Sequence, residues 1–340
     1  MCTGINLSSL EKNHYLGRTQ EYNINFDYIG VQIPRNLNIK ESITEWKTLY
    51  SVIGVGIREP NGQAAQTVID GVNEHGLGGI TQYFSEFNCY ASLEDIEKNN
   101  KFPILAEQLV FWVLANCKDT KEIEHKLNHI AIPNISIDGS QNGLPQHFMF
   151  SDNTGRTIVV EPSRYLGFDI YENTIGVMTN SPKFDWHLSN LENYTSLSDK
   201  PVPNKEFNDK TIKSNKSSGL RGIPGDYSPA SRFVRAAYLL MFSDPVSDEM
   251  AINKLFHLLS TSDIVKGVEK LEGPEDINRQ YTQYTSAYDL NKVQLFIRLY
   301  ENLEIQTLEF DFSLINEKEI QIYTFNKTQQ YKKLKISDEL

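Results

Sequence analysis

The sequence predicts an α+β fold in which antiparallel sheets are covered by helices. Two observations carry this. Strand-like and helix-like stretches come in blocks, in the order strands, helices, strands, helices, strands, rather than alternating singly as in a wound parallel sheet. The 17 Tyr and 17 Phe also supply large buried areas, so a packed core is expected although only 39% of residues are hydrophobic. The first block holds Ile5–Leu7, Tyr15–Arg18, Ser51–Ile57 and Thr67–Ile69, which are β-branched or aromatic and punctuated by Asn, Gly and Pro. It continues through Gly76–Phe84, where glycines allow close backbone approach. Ile104, Leu105, Leu109, Val110, Val113 and Leu114 then recur at helical spacing, with Pro103 suited to the first turn, and a second helix is predicted over Lys121–Ile130.

Strands return at Gln146–Ser151, Thr157–Glu161, Gly167–Glu172 and Thr174–Met178. Asn180-Ser181-Pro182 leads into a helix over Phe184–Asn193. Residues 196–224, rich in Ser, Lys, Asn, Pro and Gly, read as a long surface loop. Helices are predicted at Pro229–Met241 and Ser247–Leu259, and strands at Gln280–Asp289, Lys292–Tyr300, Gln306–Phe312 and Glu319–Thr324. The patterns on both sides of the loop can share one core, so a single domain over residues 2–340 is expected.

Composition narrows the function. With 33 basic and 44 acidic side chains the net charge is −11, and no basic block interrupts it. Such a chain repels phosphate backbones, which argues against nucleic acid as a partner. The longest strongly apolar run, Leu109 to Ala115, falls far short of the ~20 residues that span a bilayer, so no membrane partner is expected. The start has neither a basic n-region nor an apolar stretch, and three cysteines in 340 residues suit a reducing compartment. A cytoplasmic protein is the expectation.

Most familiar motifs are absent. Thr81 stands where a dinucleotide fingerprint needs its last glycine. His125 and His129 share a helix face at i, i+4, but two ligands do not make a zinc site, and a solvated helix face is the expectation. Cys89 and Cys117 sit among apolar and aromatic residues and read as core. Cys2 is different. Removal of Met1 would leave a thiol and a free α-amine on one residue. An α-amine has an ordinary pKa of about 7.7–8.0, so it serves as a general base near neutral pH, and such a nucleophile carries its own base.

Met1-Cys2-Thr3-Gly4 followed by Leu16-Gly17-Arg18-Thr19-Gln20-Glu21-Tyr22 resembles the start of the choloylglycine hydrolase family. This family of N-terminal-nucleophile amidases includes bile salt hydrolases and penicillin V acylases. The resemblance recurs in order at Asp70–Gly78, Val160-Glu161-Pro162, Met178–Pro182, Phe184–Tyr194 and, as its longest block, Ile223–Arg235. It implies a four-layer αββα sandwich. It also implies Cys2 as nucleophile, Arg18 as the cation beside the thiolate, and Asn180 as the oxyanion-hole side chain. Tyr83 would give a backbone N–H to that hole, and Arg232 would be an electrostatic support. Where the family usually has Asp, this chain has Glu21. Glu keeps the charge that would balance the α-amine but adds one methylene, against a geometric tolerance of about 0.5 Å.

The resemblance further implies a small-molecule amide substrate, no metal or organic cofactor, and a homotetramer bridged around Phe184–Tyr194 and the loop after it. Tyr83 matches penicillin V acylase-like members, where typical bile salt hydrolases have Asn, so penicillin V-like amides are the preferred substrates. Conjugated bile salts and N-acyl homoserine lactones are the alternatives. An inactive relative on the same fold, acting as a binding protein, is the non-enzyme alternative.

Overall fold

The computed structural model of the chain describes residues 1–40, 43–136, 142–270 and 279–334. Two sheets dominate it. Their elements are β1 (Cys2–Ser8), β2 (His14–Tyr22), β3 (Tyr28–Ile33), β4 (Val52–Ile57), β5 (Asp70–Asn73) and β6 (Gly78–Tyr83). After helices α1 (Leu109–Asn116) and α2 (Thr120–Leu127) come β7 (Gln146–Ser151), β8 (Thr157–Arg164), β9 (Gly167–Glu172) and β10 (Val177–Met178). Helices α3 (Phe184–Asn190), α4 (Pro229–Phe242) and α5 (Asp248–Ser260) precede β11 (Arg279–Asp289), β12 (Gln294–Leu299), β13 (Gln306–Glu309) and β14 (Gln321–Tyr323).

The first sheet runs β10-β1-β2-β11-β12-β13, with the short strand Glu269–Lys270 against β11, and the second runs β9-β8-β7-β6-β5-β4-β3-β14. Every pairing in both is antiparallel. Strands β3 and β4 read as near-continuous apolar runs because both of their faces are covered. Alternation then sends neighbours into different cores. Met149 and Val159 point to the core between the sheets, with Leu16, Ile53 and Ile80. Phe148, Phe150 and Val160 point the other way, against Leu109, Val110, Val113 and Leu114 of α1. Phe233 of α4 and Leu255 and Leu259 of α5 close the outer face of the first sheet. The layers are therefore helix, sheet, sheet, helix, as the resemblance implies.

Some local expectations need correction. Thr67–Ile69 is not a strand: Thr67 N–H bonds the nearby Ala65 carbonyl at 2.8 Å, and pairing begins only at Asp70. Pro103 does not open a helix. It lies in a two-residue parallel bridge, Phe102–Pro103 with Ile130–Ala131, and Ile104 N–H is committed to Ala131 O at 3.1 Å. A 3₁₀ turn over Ala106–Gln108 must intervene before α1. The loop over 196–224 contains an exposed hairpin, Lys205–Phe207 with Lys210–Ile212. The strands expected at Thr174–Met178 and Gln306–Phe312 are shorter, ending as β10 and β13. Strand β3, flanked by β4 and β14, was not expected from the sequence pattern.

Candidate active site

Cys2 opens β1, and the antiparallel ladder decides what lies beside it. Cys2 pairs with Gln20 and Gly4 with Arg18, so these four residues share one face of the sheet. That face is turned to the second sheet. A Cβ built on Gly4 would lie 2.4 Å from Ile80 Cδ1 and 3.0 Å from Gln82 Nε2. Glycine there lets β6 approach and leaves a lane along which the Arg18 side chain reaches Cys2. Its Nη2 donates to Cys2 Sγ at 3.0 Å and also to Gln20 Oε1, while its Nε donates to Thr19 O. A guanidinium against sulfur stabilises negative charge on it.

Arg18 is 1% exposed, and a buried cation needs a counter-charge. Asp70 supplies it: its Oδ2 lies 3.7 Å from Arg18 Nη1. Burial lowers the Arg18 pKa, but the electrostatic influence of Cys2, Tyr284, Asp70 and Glu21 outweighs burial and raises it. Asp70 also accepts from Tyr284 OH, Ser286 Oγ and Tyr288 OH. Sequence reading assigned Asp70 no role. Two signals pointed to it: a carboxylate between Ile69 and Val72 in an apolar strand, and hydroxyls at 284, 286 and 288, whose period of two puts them on one face of β11. Asp70→Ala is expected to cost about 3–5 kcal/mol, the range for removing one partner of a buried ion pair. Urea unfolding checks this, and a midpoint equal to wild type would contradict it.

Asn180 follows β10, which pairs with β1, and this places it beside Cys2. Its Oδ1 accepts from the Cys2 backbone nitrogen at 2.8 Å and from Arg232 Nη2 at 2.7 Å, and its Nδ2 donates to Tyr83 O at 2.8 Å. With Met1 attached, that Cys2 nitrogen is an amide standing where the α-amine would be. Arg232, on α4, is fully buried and spends its donors on Cys2 O, Thr3 Oγ1, Asn180 Oδ1 and Tyr227 O. Burial lowers its pKa, and Glu21 and Cys2 oppose the shift. Tyr83, ending β6, is 45% exposed while its carbonyl holds Asn180.

Two histidines hold the Asn180 segment from behind. His147 Nε2 reaches Thr179 O at 2.7 Å and His187 Nε2 reaches Asn180 O at 2.9 Å. Burial pushes the His187 pKa down to about 4, so at neutral pH it is an uncharged ring. It stacks on Phe233, the neighbour of Arg232.

Glu21 points into the same site. Thr19 Oγ1 donates to its Oε2 at 3.0 Å and Thr282 Oγ1 to its Oε1 at 2.6 Å. The ladder slips by one residue here, so that Glu21 faces Thr282 while Gln20 faces Tyr284. Burial raises the Glu21 pKa, against the N-terminal ammonium, Arg232 and the two threonine hydrogen bonds. The Met1 ammonium has its pKa lowered by burial, with Cys2 and Glu21 opposing.

Cys2, Arg18, Glu21, Asn180, Arg232 and the Tyr83 backbone thus meet in one place, through the hydrogen bonds and ladder pairings above. The other cysteines lie elsewhere. Cys117 is fully buried, and burial pushes its thiol up to about 12. Cys89 is only partly buried, less than the core position expected of it. His125 and His129 are exposed. Among the described residues no group of three or more His, Cys, Asp or Glu is placed to hold a metal ion, and no helix is long and apolar enough to cross a membrane.

An αββα sandwich presenting a cysteine on its first strand, between an arginine and an asparagine, defines the class of N-terminal-nucleophile hydrolases. Residues 2–323 match the profile of the linear amide C–N hydrolases, choloylglycine hydrolase family. The chain belongs to that family and is an enzyme acting on carbon–nitrogen bonds of linear amides. It is 34% identical over 335 residues to a bile salt hydrolase/transferase of Clostridium perfringens, covering 96% of this chain and 98% of the relative. It is 30% identical over 328 residues to a conjugated bile acid hydrolase of Lactobacillus gasseri, covering 95% and 100%. The crystal structure of the mutant C2A conjugated bile acid hydrolase from Clostridium perfringens superposes with a TM-score of 0.89 at 33% identity, covering 98% of this chain and all of that one. Penicillin V acylase from Agrobacterium tumefaciens shares the fold, with a TM-score of 0.72 at 17% identity over 94% and 90% of the two chains.

Proposed function

We propose that the chain, as one domain over residues 2–340, hydrolyses the amide bond of conjugated bile acids with Cys2 as its N-terminal nucleophile. The observation that carries the substrate is the near full-length similarity, at 34% and 30% identity, to relatives named for bile salts or bile acids. It displaces the penicillin V preference drawn from Tyr83, since the penicillin V acylase at 17% identity speaks only for the fold.

The chemistry follows from the geometry. Once Met1 is gone, the α-amine takes the Cys2 thiol proton and the thiolate attacks the substrate carbonyl. Arg18 Nη2 steadies the sulfur. Asn180 Nδ2 has two hydrogens and spends one on Tyr83 O, which leaves the second for the tetrahedral oxyanion, joined by the Tyr83 N–H. Collapse breaks the C–N bond, and the departing amine collects the proton held by the α-ammonium. Water, deprotonated by the same amine, then cleaves the thioester and frees the acid. Glu21 and Arg232 fix the amine and Asn180. No cofactor enters this sequence.

A cytoplasmic homotetramer is part of the same reading. Trp186 is 44% exposed and Phe207 and Ile212 of the hairpin are 64% and 45% exposed, which suits a surface that bridges subunits. Light scattering at micromolar concentration should give four chains per particle; a monomer would remove this part.

A substrate panel tests the central reading. Glycocholate and taurocholate are expected to be cleaved at least about tenfold faster, in kcat/KM, than penicillin V and a long-chain N-acyl homoserine lactone. Faster cleavage of penicillin V would restore the reading from Tyr83.

A further inference from the structure

Strand β10 ends at Met178, and the segment after it carries Asn180 to the Cys2 nitrogen. Met178, Thr179 and Asn180 are all buried, and buried carbonyls need donors. Side chains supply all three in succession. Gln82 Nε2 donates to Met178 O at 3.2 Å, His147 Nε2 to Thr179 O at 2.7 Å, and His187 Nε2 to Asn180 O at 2.9 Å. Gln82 and His147 belong to a polar row across the second sheet. His147 of β7 pairs with Gln82 of β6. Phe148 pairs with Val160 of β8, so the next step of that ladder sets His147 beside Glu161. Alternation puts all three on the face that Ile80, Met149 and Val159 turn to the core between the sheets.

Glu161 joins this row to the far end of the same segment. Its Oε1 accepts from the backbone N–H of Phe184, the first residue of α3, at 2.8 Å, and lies 3.4 Å from His147 Nδ1. Thr179, through the imidazole, and Phe184, directly, are therefore tied to one carboxylate oxygen, with Asn180 in the span between them. A partner on Nδ1 also fixes the ring so that Nε2 meets the carbonyl. The ring itself is stacked on Phe84 at 4.4 Å. Glu161 and His147 are both fully buried. A buried charged pair adds little stability over packed apolar residues, whereas a shift of about 1 Å at a reacting centre costs up to about 10²-fold in rate.

We propose that Glu161 and His147 are positioning residues for the oxyanion donor. They clasp the segment at Thr179 and Phe184 and so aim Asn180 Nδ2 at the carbonyl under attack. Glu161 falls in a block that resembles the family, which implies no role for it, and His147 falls in none.

The inference rests on the reading of Asn180 as the oxyanion donor. Its test is a double-mutant cycle in kcat and KM, with wild type, His147→Phe, Asn180→Ala and the double variant. The substrate is glycocholate, or penicillin V should the panel favour it. Phenylalanine keeps a ring to stack on Phe84 and removes both hydrogen bonds. His147→Phe is expected to lower kcat about 10- to 100-fold with KM within about twofold of wild type. In the Asn180→Ala background the same substitution is expected to change kcat by less than about twofold, because residues that act through one another are not additive. Equal falls in the two backgrounds would overturn the inference, and so would a His147→Phe kcat equal to wild type. If His147→Phe fails to fold, Glu161→Gln takes its place in the cycle. Glutamine keeps an acceptor for the Phe184 N–H and withdraws the charge that faces Nδ1. A fall in kcat of at least about threefold that vanishes in the Asn180→Ala background supports the inference; no fall, or the same fall in both backgrounds, overturns it. Asn180→Ala with the kcat of wild type would instead fail the reading of Asn180 itself.

Discussion

Replacing Cys2 by alanine is expected to lower amide hydrolysis by roughly 10⁵- to 10⁶-fold, the scale seen when a covalent nucleophile is removed. The fold should survive. Cys2 makes its backbone bond to Asn180 through nitrogen and its bond to Arg232 through the carbonyl, and alanine keeps both. The mutant C2A relative superposes on this chain with a TM-score of 0.89. Alanine is also small enough for Met1 to be removed, so the variant presents an amine without a thiol. The comparison therefore isolates sulfur from everything around it. Glycine release from glycocholate reads the loss, and circular dichroism reads the fold; residual activity above about 1% of wild type would mean another group attacks.

The second large effect is expected at Asn180, where the two ends of one amide do different work. Oδ1 receives Cys2 N and Arg232 Nη2, while Nδ2 donates to Tyr83 O and, in the proposed reaction, keeps its second hydrogen for the carbonyl under attack. Asn180→Asp keeps the acceptor for the amine and strengthens the pairing with Arg232. It loses the donor and sets a negative charge against the developing oxyanion. A fall in kcat of about 10²- to 10³-fold with little change in KM is expected, the measured scale for one oxyanion donor. A raised KM with kcat unchanged would assign Asn180 to substrate binding instead.

How much of this could be read from the chain alone depended on the range of the interaction. Strands β7 and β9 were legible to the residue, because β-branched and aromatic residues bounded by turn signals mark strands. Helix α4, expected over Pro229–Met241, spans Pro229–Phe242 with Ser228 capping its first turn. Cys2 and the five residues expected around it could be named from their motifs, and the structure brings them together. Asp70 was not, because its purpose appears only when β2, β5 and β11 come together and a buried arginine needs a counter-charge. His147 and His187 were hidden for the same reason, since each acts by holding a carbonyl 32 or 7 residues away. The start of α1 was misplaced because a parallel bridge between residues 102–103 and 130–131 claims the backbone first. Substrate choice was least legible. A single residue at 83 pointed one way, and whole-chain similarity to bile salt hydrolases points the other.

The account turns on whether Cys2 becomes the first residue of the chain. Intact-mass spectrometry of the purified protein, before and after brief treatment with iodoacetamide, tests this most directly. The expected mass is that of the chain less one methionine, gaining a single carbamidomethyl group on Cys2 that prior incubation with glycocholate suppresses. A chain that retains Met1, or one alkylated at Cys89 while Cys2 stays unmodified, would contradict it.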